Sequence, residues 1–238
     1  MNMNYILMII IILIIYFNYN TIVNIKETFN EKNKFDLDKI YDGITGFAIM
    51  DNTNLKLFEI ETIYGEVTSE GIDILSSTFN KYGPLNTYNF KKKTFYDLGC
   101  GVGKIVVKMA YLNPDINSIG YEIVSKRVEN ANKALENVKK FESKELYDRI
   151  SIKQQDLFDN KIDLSNACWI FISNLCFKND NLIKFAKILD EKTPNNCVII
   201  CSKTIDFDIH SKFKKISDTI RIPMSWEEKS NCIIYKKN

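Results

Sequence analysis

The stretch DLGCGVG at residues 97–103 decides the fold of this chain. It begins at the end of Thr94–Leu98, a short apolar segment typical of a buried strand, and it precedes a helix-like segment at residues 104–111. Glycines are needed where the backbone turns tightly and a ligand must approach it closely. A glycine-rich turn from a strand into a helix therefore predicts a nucleotide or nucleoside site at that strand end.

Outward from this loop, strand-like and helix-like segments alternate along the chain. The predicted strands lie at residues 94–98, 118–123, 150–153, 167–172 and 197–201, and the predicted helices at residues 69–82, 104–111, 125–141 and 181–189. A closing antiparallel pair is expected at residues 219–222 and 232–235. This alternation predicts an α/β protein with a Rossmann-like doubly wound sheet. Upstream, we expect a short helix between residues 18 and 42 and one or two strands within residues 45–63.

Composition limits the class of protein. The chain has 238 residues, 45% of them hydrophobic and 26% charged, which suits one globular domain with a small N-terminal addition. Its net charge of +2 is too small to indicate a polyanionic partner, so we expect no sequence-specific nucleic-acid binding. The six cysteines include no Cys-x-x-Cys pair and His210 is the only histidine, so we expect reduced thiols and no metal site.

The N-terminus carries a hydrophobic segment, YILMIIIILIIYF at residues 5–17, and no charged residue precedes Lys26. The segment is shorter than the roughly 20 apolar residues of a typical membrane span. It fits an uncleaved anchor, a buried helix or strand, or an atypical signal peptide. We favour a single-pass helical anchor, because isoleucine and leucine make insertion favourable. Lys26, Lys32 and Lys34 would then keep the rest of the chain on the cytosolic side. The alternative is a soluble cytoplasmic or nuclear protein.

Acidic residues stand where a nucleoside cofactor needs them. Asp97 lies two residues before the first loop glycine, Glu122 lies at the end of the next strand, and Asp156-Leu157 follows the third strand. Glu122 is placed to bind ribose hydroxyls, and Asp156 to face an adenine. Asp97 suits the ammonium group of S-adenosylmethionine and would repel a pyrophosphate. The loop therefore favours S-adenosylmethionine over a dinucleotide.

Two other interpretations of the loop fit the sequence less well. A Walker A loop requires Gly-Lys followed by Ser or Thr, whereas Gly103-Lys104 is followed by Ile105, so that phosphate site is excluded. The other interpretation makes the glycines turn residues only, with Asp97 as a cap. It requires the placement of all three acids to be a coincidence.

Four motifs make the chain resemble class I S-adenosylmethionine-dependent methyltransferases, and among them the DOT1-like histone-lysine methyltransferases, over residues 64–235. They are YGE at residues 64–66 with Thr68, the loop at residues 97–103, GYE at residues 120–122 and FISNLCF at residues 171–177; the tail IPMSW at residues 222–226 also fits. The resemblance divides the chain into a hydrophobic segment at residues 1–23, a linker and small extension at residues 24–63, and a DOT1-like domain at residues 64–238.

The resemblance also implies site residues and an activity. The cofactor-binding residues that it implies are Glu66, Thr68, Asp97, Gly99, Gly101, Gly103, Glu122, Asp156, Leu157, Asn174 and Phe177. The residues implied for the methyl-transfer channel are Tyr64, Ser173 and Asn174. The implied activity is N-methylation of a protein lysine, with histone H3 as the substrate of the family.

The chain departs from the family pattern at two points. Ser173 stands where the histone enzymes carry the first of two asparagines, and the basic segments are limited to the run at residues 91–93 and a lysine-rich C-terminus. Two alternatives therefore stay open. One is a membrane-anchored methyltransferase that acts on a non-histone protein or a small amine, and the other is an inactive cofactor-binding module.

Overall fold

The structure is a computed structural model that describes residues 35–47, 49, 64–87 and 92–238. Residues 37–238 form one compact unit. The helices are α1 (Leu37–Ile40), α2 (Ser69–Tyr82), α3 (Lys104–Leu112), α4 (Ser125–Phe141), α5 (Lys144–Asp148) and α6 (Asn179–Lys192), with a 3₁₀ turn at Leu85–Thr87. The strands are β1 (Thr94–Leu98), β2 (Asn117–Glu122), β3 (Ile150–Gln154), β4 (Ala167–Ile172), β5 (Val198–Cys201), β6 (Phe213–Met224) and β7 (Glu227–Lys237).

The predicted hydrophobic helix at residues 5–17 lies outside the described residues, as do most of the strands expected within residues 45–63. Within the described ranges, none of the helices has the length and apolar character that crossing a bilayer requires.

The seven strands form a single sheet in the order β3-β2-β1-β4-β5-β7-β6. The first five are parallel, whereas β7 runs antiparallel to both β5 and β6. The predicted Rossmann-like α/β sheet with its antiparallel closing pair is therefore confirmed. Strand order reverses between β1 and β4, and in open α/β sheets the crevice at such a point, beyond the carboxyl ends of the strands, is where ligands bind.

Helices cover both faces of the sheet. On one face, Phe95 of β1 packs with side chains of α2 and α3, and on the other, Leu98 of β1 packs with Phe185 of α6. Because successive strand residues point to opposite faces, β1 can be buried along its whole length. In the register of the sheet, Asp97 lies between Gly120 of β2 and Phe171 of β4, which places its carboxyl group at the crevice.

Helix α2 begins and ends at residues that the sequence identifies. Thr68 caps its N-terminus, because the Thr68 hydroxyl accepts a hydrogen bond from the Gly71 amide at 3.1 Å. At the other end, the Trp169 indole donates to the Gly83 carbonyl at 2.8 Å, and its ring stacks on Phe79 with centroids 5.4 Å apart. These contacts fix α2 across β4, so the residues that precede Thr68 have a defined place above the crevice.

Candidate active site

A cavity of about 560 Å³ opens at the carboxyl ends of β1, β2 and β4. Its walls come from five segments that are far apart in sequence, namely residues 64–67, the loop after β1, the residues that follow β2, those that follow β3, and the end of β4 with the residues after it. Trp226, at the turn between β6 and β7, lies at the rim and is 43% exposed. The cavity therefore occupies the crevice that the sheet topology indicates.

All three glycines of the loop have the positive φ that only glycine adopts freely, and Gly99 and Gly101 face the cavity. Gly99 has φ of 90°, and a Cβ built on it meets no atom within 4 Å, because it would point into open space. Gly101 has φ of 56°, and a Cβ there would lie 2.5 Å from Cε2 of Tyr64. Gly99 thus leaves room for a ligand, and Gly101 lets the Tyr64 ring lie directly on the loop.

Asp97 presents a buried carboxylate to the cavity. The residue is 2% exposed, and its Oδ2 atom has no hydrogen-bond partner among the described residues. Burial, and next the nearby charge of Glu122, raise the pKa of the Asp97 carboxyl group well above its usual range. An unsatisfied buried carboxylate is costly unless a cation reaches it, so Asp97 fits the ammonium end of S-adenosylmethionine.

Glu122 is held rigidly at the end of β2. Its Oε2 accepts the Gly101 amide at 2.8 Å, its Oε1 accepts the Val124 amide at 2.9 Å, and the residue is 5% exposed. Each carboxylate oxygen has a second lone pair, so the group can also accept hydrogen bonds from two ligand hydroxyls. A fixed carboxylate that faces the cavity fits a ribose diol.

The third expected acid lies at the far side of the cavity. Asp156 and Leu157 line the wall after β3, together with Phe158 and Gln155. The Asp156 carboxylate accepts the Phe158 amide at 2.9 Å, which closes a tight turn and fixes the position of both side chains. Ile123, Leu157 and Phe158 form an apolar slot in this wall, and Asp156 supplies one hydrogen-bond acceptor at its edge. Such a slot suits an adenine ring.

Residues 64–67, here called the strap, lie across the loop. The Tyr64 hydroxyl donates to Oε1 of Glu66 at 2.7 Å, and Nζ of Lys104 lies 2.6 Å from Oε2 of Glu66. Burial and the Glu66 charge raise the pKa of the Tyr64 phenol, which keeps the hydroxyl protonated as a donor. The Arg127 guanidinium lies over the Tyr64 ring, 4.6 Å from its centroid. The strap is thus fixed to both α3 and α4.

The strap is also attached to the turn between β6 and β7. The Glu66 amide donates to the Ser225 hydroxyl at 3.0 Å, and the Ser225 amide donates to the Glu66 carbonyl at 2.7 Å. Val67 forms a bridge with Met224, and the Trp226 ring packs so closely on Gly65 that a Cβ there would lie 2.2 Å from it. The contacts with the turn therefore fix the position of the strap over the cavity.

The segment after β4 contributes the wall opposite the strap. Ser173, Leu175, Cys176 and Phe177 line the cavity. Asn174 does not line it, and its buried side chain instead pairs with the backbone of Lys203. Its amide nitrogen donates to the Lys203 carbonyl at 2.9 Å, and its oxygen accepts the Lys203 amide at 2.7 Å. In this arrangement Asn174 fixes the course of the segment that carries Ser173 and Phe177.

The structure gathers most of the residues expected from the sequence around this cavity. Those that line it are Tyr64, Glu66, Asp97, Gly99, Gly101, Glu122, Asp156, Leu157, Ser173 and Phe177. Three lie behind the wall, namely Thr68 at the cap of α2, Gly103 at the start of α3, and Asn174.

Sequence reasoning missed the two cations of the lining, Lys104 and Arg127. Lys104 directly follows the glycine loop, and its place at a helix N-terminus was a usable signal. Arg127 lies in the first turn of a charged helix, and nothing in the local sequence separates it from a surface residue.

None of the six cysteines, all of which lie in the described ranges, forms a disulfide. Within those same ranges, no group of three His, Cys, Asp or Glu side chains is placed to hold a metal ion.

Comparison with known proteins gives one family and a fold. The profile of the family described as "Histone methylation protein DOT1" matches residues 48–230. Among solved structures, TrmN from Thermus thermophilus superposes with a TM-score of 0.52 and 11% identity, over 69% of this chain and 48% of that one. The chain therefore spans about half the length of that protein, and at this identity the likeness shows the fold alone. No curated protein sequence matches the chain significantly.

Two further solved structures are similar at lower scores. The mitomycin 7-O-methyltransferase MmcR has a TM-score of 0.47 and 12% identity, over 68% of this chain and 54% of that one. PKMT2 from Rickettsia typhi, solved in complex with AdoHcy, has a TM-score of 0.43 and 16% identity, over 57% of this chain and 25% of that one.

Proposed function

The chain belongs to the DOT1 histone methylation family, whose cofactor is S-adenosylmethionine, and we propose that it transfers the methyl group of that cofactor to a protein lysine. The observation that carries the proposal is the cavity at the sheet crevice, where Asp97 and Glu122 face one ligand space and the strap and residues 173–177 enclose its outer end. The family supplies the reaction class, and the walls of the cavity support the use of an amine acceptor.

Different residues of the cavity bind different parts of the cofactor. Asp97 binds the ammonium group, Glu122 the ribose hydroxyls, and the slot of Leu157 and Phe158 the adenine, with Asp156 at its edge. When bound, the cofactor supplies an electrophilic methyl group on a sulfonium. Three fixed contacts along its length would hold the cofactor in one orientation, and such orientation is a main source of rate enhancement.

The acceptor amine has to arrive without its proton. Lysine has an unperturbed pKa near 10.4, so in water at neutral pH it is cationic and has no free lone pair. A channel walled by Leu175, Phe177 and Trp226 disfavours the charged form. Glu66 is already bonded to Lys104 and Tyr64, so we assign it no role as a base. Tyr64 and Ser173 supply the polar atoms that can steer the neutral amine, while Asn174 acts by holding the segment.

The direct test is transfer of tritium-labelled methyl groups by the full chain. Nucleosomes, free core histones and a lysate protein fraction are offered in parallel, and labelled protein is hydrolysed to identify the methylated amino acid. We expect N-methyllysine, with histone H3 as the labelled protein. Labelled histone that yields another methylated residue, or no protein label with any acceptor, would contradict the proposal.

An exchange of Glu122 for Gln is the control for that assay. The amide keeps the size of the side chain but loses the charge and one of the acceptors that hold Gly101 and Val124. We expect this variant to lose transfer to every acceptor. If label persists in the variant, a contaminating enzyme is responsible for it.

A second candidate keeps the reaction and changes the location and the acceptor. The apolar segment at residues 5–17 favours a membrane-anchored enzyme with the catalytic domain on the cytosolic side, acting on a non-histone protein or a small amine. The test is fractionation of the full chain beside a chain that begins at residue 24. Sedimentation of only the full chain with membranes, and label in membrane proteins rather than histones, would favour this candidate. An inactive module would bind cofactor and label nothing.

A further inference from the structure

Tyr41 reaches the glycine loop from a part of the chain that none of the sequence motifs includes. It directly follows α1 and is 6% exposed, and its hydroxyl donates to the Val102 carbonyl at 3.1 Å, across 61 positions of the sequence. Burial, and next the nearby Cys100, raise the pKa of the Tyr41 phenol well above its usual range. The hydroxyl therefore keeps its proton and remains a hydrogen-bond donor.

The carbonyl that accepts this hydrogen bond lies between two glycines of the loop. Gly101 and Gly103 flank Val102 with φ angles of 56° and 85°, and glycine loses more conformational freedom on folding than any other residue. The Val102 carbonyl and the Gly103 amide belong to one planar peptide unit. Tyr41 bonds to the carbonyl, and the Gly103 amide donates to the Cys100 carbonyl at 2.8 Å. This peptide unit is therefore held from both sides.

Tyr41 is itself fixed in place by α1, which packs on α4. The Ile40 side chain is buried, and the Asn137 side-chain amide donates to the Ile40 carbonyl at 2.8 Å. The Lys39 ammonium lies 4.2 Å from the centroid of the Phe141 ring of α4. Because α4 also packs against β2 and β3, α1 holds Tyr41 in a fixed position relative to the sheet.

We propose that Tyr41 is a positioning residue for methyl transfer, whose hydroxyl holds the glycine loop in the conformation that receives the cofactor. The inference rests on the proposed use of S-adenosylmethionine. Tyr41 lies behind the wall of the cavity and acts through the loop. A loop that already has its binding conformation loses less entropy when the ligand arrives, so this contact lowers Kd.

The same side chain extends its effect to the strap. The face of the Tyr41 ring lies 5.6 Å from the Lys104 ammonium, which in turn lies 2.6 Å from Glu66. An exchange of Tyr41 for Phe keeps this ring and removes only the hydroxyl, so it tests the contact with the loop alone. The functional site thus begins at α1, upstream of the strap.

The experiment compares the unaltered full chain with Tyr41→Phe and with the matched control Thr193→Val. Thr193 is also 6% exposed, and its hydroxyl donates to the Leu189 carbonyl just before β5, at the edge of the sheet opposite the cavity. Calorimetry measures Kd for S-adenosylhomocysteine, and amide exchange followed by NMR measures the protection of Gly103 without ligand. For Tyr41→Phe we expect Kd to rise about fivefold and Gly103 to exchange severalfold faster. For Thr193→Val we expect neither change.

Asn137→Ala provides a second variant that leaves Tyr41 intact. It removes the hydrogen bond between α4 and α1, so we expect it to raise Kd as well. Combined with Tyr41→Phe, it should raise Kd by less than the product of the two single effects, because both act through α1. Asn132→Ala, on the exposed face of α4, is the control and should leave Kd unchanged.

The outcomes separate this inference from the proposed function. An unchanged Kd in Tyr41→Phe, or a raised Kd with no change in the exchange of Gly103, overturns the inference. So does a combined effect equal to the product of the single effects. If the unaltered chain does not bind S-adenosylhomocysteine while Gly103 still exchanges faster in Tyr41→Phe, the proposed function fails although Tyr41 holds the loop.

Discussion

At the scale of single residues, Asp97 is a buried acid whose Oδ2 atom has no partner among the described residues. Its carboxyl group is buried next to Glu122, and both burial and that charge raise its pKa. The folded protein therefore holds a proton on Asp97 at pH values where the unfolded chain has released it. Stability from this source is fully present below the ordinary pKa and is lost as pH rises through the raised value.

The exchange Asp97→Asn tests this cost. In the absence of cofactor, we expect the variant to be more stable than the unaltered chain by on the order of 1–3 kcal/mol near neutral pH, because folding then requires neither a buried charge nor the uptake of a proton at this position. Binding of S-adenosylhomocysteine should nevertheless weaken at least 30-fold, since the partner of its ammonium is lost. Urea unfolding and calorimetry measure the two quantities. A variant that is less stable and still binds would contradict the assignment.

The same carboxyl group predicts how cofactor binding depends on pH. An ammonium placed beside Asp97 lowers the pKa of that group, so binding releases a proton at pH values between the bound and the free pKa. Kd for S-adenosylhomocysteine should therefore fall as pH rises through the free pKa and then become constant. Titrations in two buffers of different ionisation enthalpy measure the proton release directly. In Asp97→Asn we expect neither proton release on binding nor a pH dependence of Kd. If either persists, another group is responsible for it.

Gly101 and Gly43 form a matched pair for the loop geometry. Both have positive φ, 56° and 67°, so an alanine at either site costs about 1–2 kcal/mol in backbone strain. Only at Gly101 would the added Cβ also collide with Tyr64. We expect Gly101→Ala to raise Kd for S-adenosylhomocysteine by tenfold or more, and Gly43→Ala to lower the unfolding temperature without changing Kd. Equal effects on binding would mean that the contact with Tyr64 is unimportant.

At the scale of elements, the segment after β4 depends on a single side chain. Asn174 satisfies both backbone groups of Lys203, and the Lys203 ammonium in turn donates to the Phe177 carbonyl at 3.0 Å. Two strand ends are thereby joined at the wall of the cavity. These hydrogen bonds between segments determine the shape of the wall. The intrinsic backbone preferences of residues 173–177 contribute little to it.

Asn174→Ala should therefore affect binding as well as stability. Loss of its buried hydrogen bonds costs about 1–3 kcal/mol. Asn113→Ala is the matched control, because Asn113 is also buried and bonds to Ser76 and the Met109 carbonyl, away from the cavity. We expect similar losses in the free energy of unfolding, but a severalfold rise in Kd for S-adenosylhomocysteine only for Asn174→Ala. If Kd rises equally in both variants, Asn174 contributes to the stability of the core and has no specific effect on the cavity.

The sequence predicts those elements that are either continuously apolar, as buried strands are, or apolar at helical spacing. β1, β4, α2 and α4 lie at the predicted residues, since each is either wholly buried or amphipathic with clear ends. β6 and β7 extend well beyond the predicted pair. Their outer parts carry exposed lysines and glutamates, so the hydrophobic pattern marks only the middle of each strand. The single-turn helix α5 was missed because five residues give no period to detect.

At the scale of the whole molecule, the site is made by contacts between distant parts of the chain. The strap and the β6–β7 turn meet through Glu66 and Ser225, which are 159 residues apart. The sequence motifs located Asp97, Glu122 and the glycines because these residues lie at the ends of predicted strands, where α/β sheets bind their ligands. They could not show that Asn174 points away from the cavity or that Arg127 lines it. Those facts depend on how α4 packs against the sheet and on how β5 pairs with β4.

The same topology makes ligand binding and stability of the molecule inseparable. The cavity joins the strap, the loop and the β4 segment, so a ligand that binds only the folded form stabilises all of them together. At a concentration one hundred times Kd, S-adenosylhomocysteine should add about 2.7 kcal/mol to the free energy of unfolding.

The most direct test of the account is calorimetric titration of the full chain with S-adenosylhomocysteine, followed by the same titration with a nicotinamide dinucleotide. We expect one molecule of S-adenosylhomocysteine to bind per chain with measurable heat, and the dinucleotide to give none. Heat from the dinucleotide together with silence from S-adenosylhomocysteine would mean that Asp97 and Glu122 serve a different ligand, and the proposed methyl transfer would fall with them.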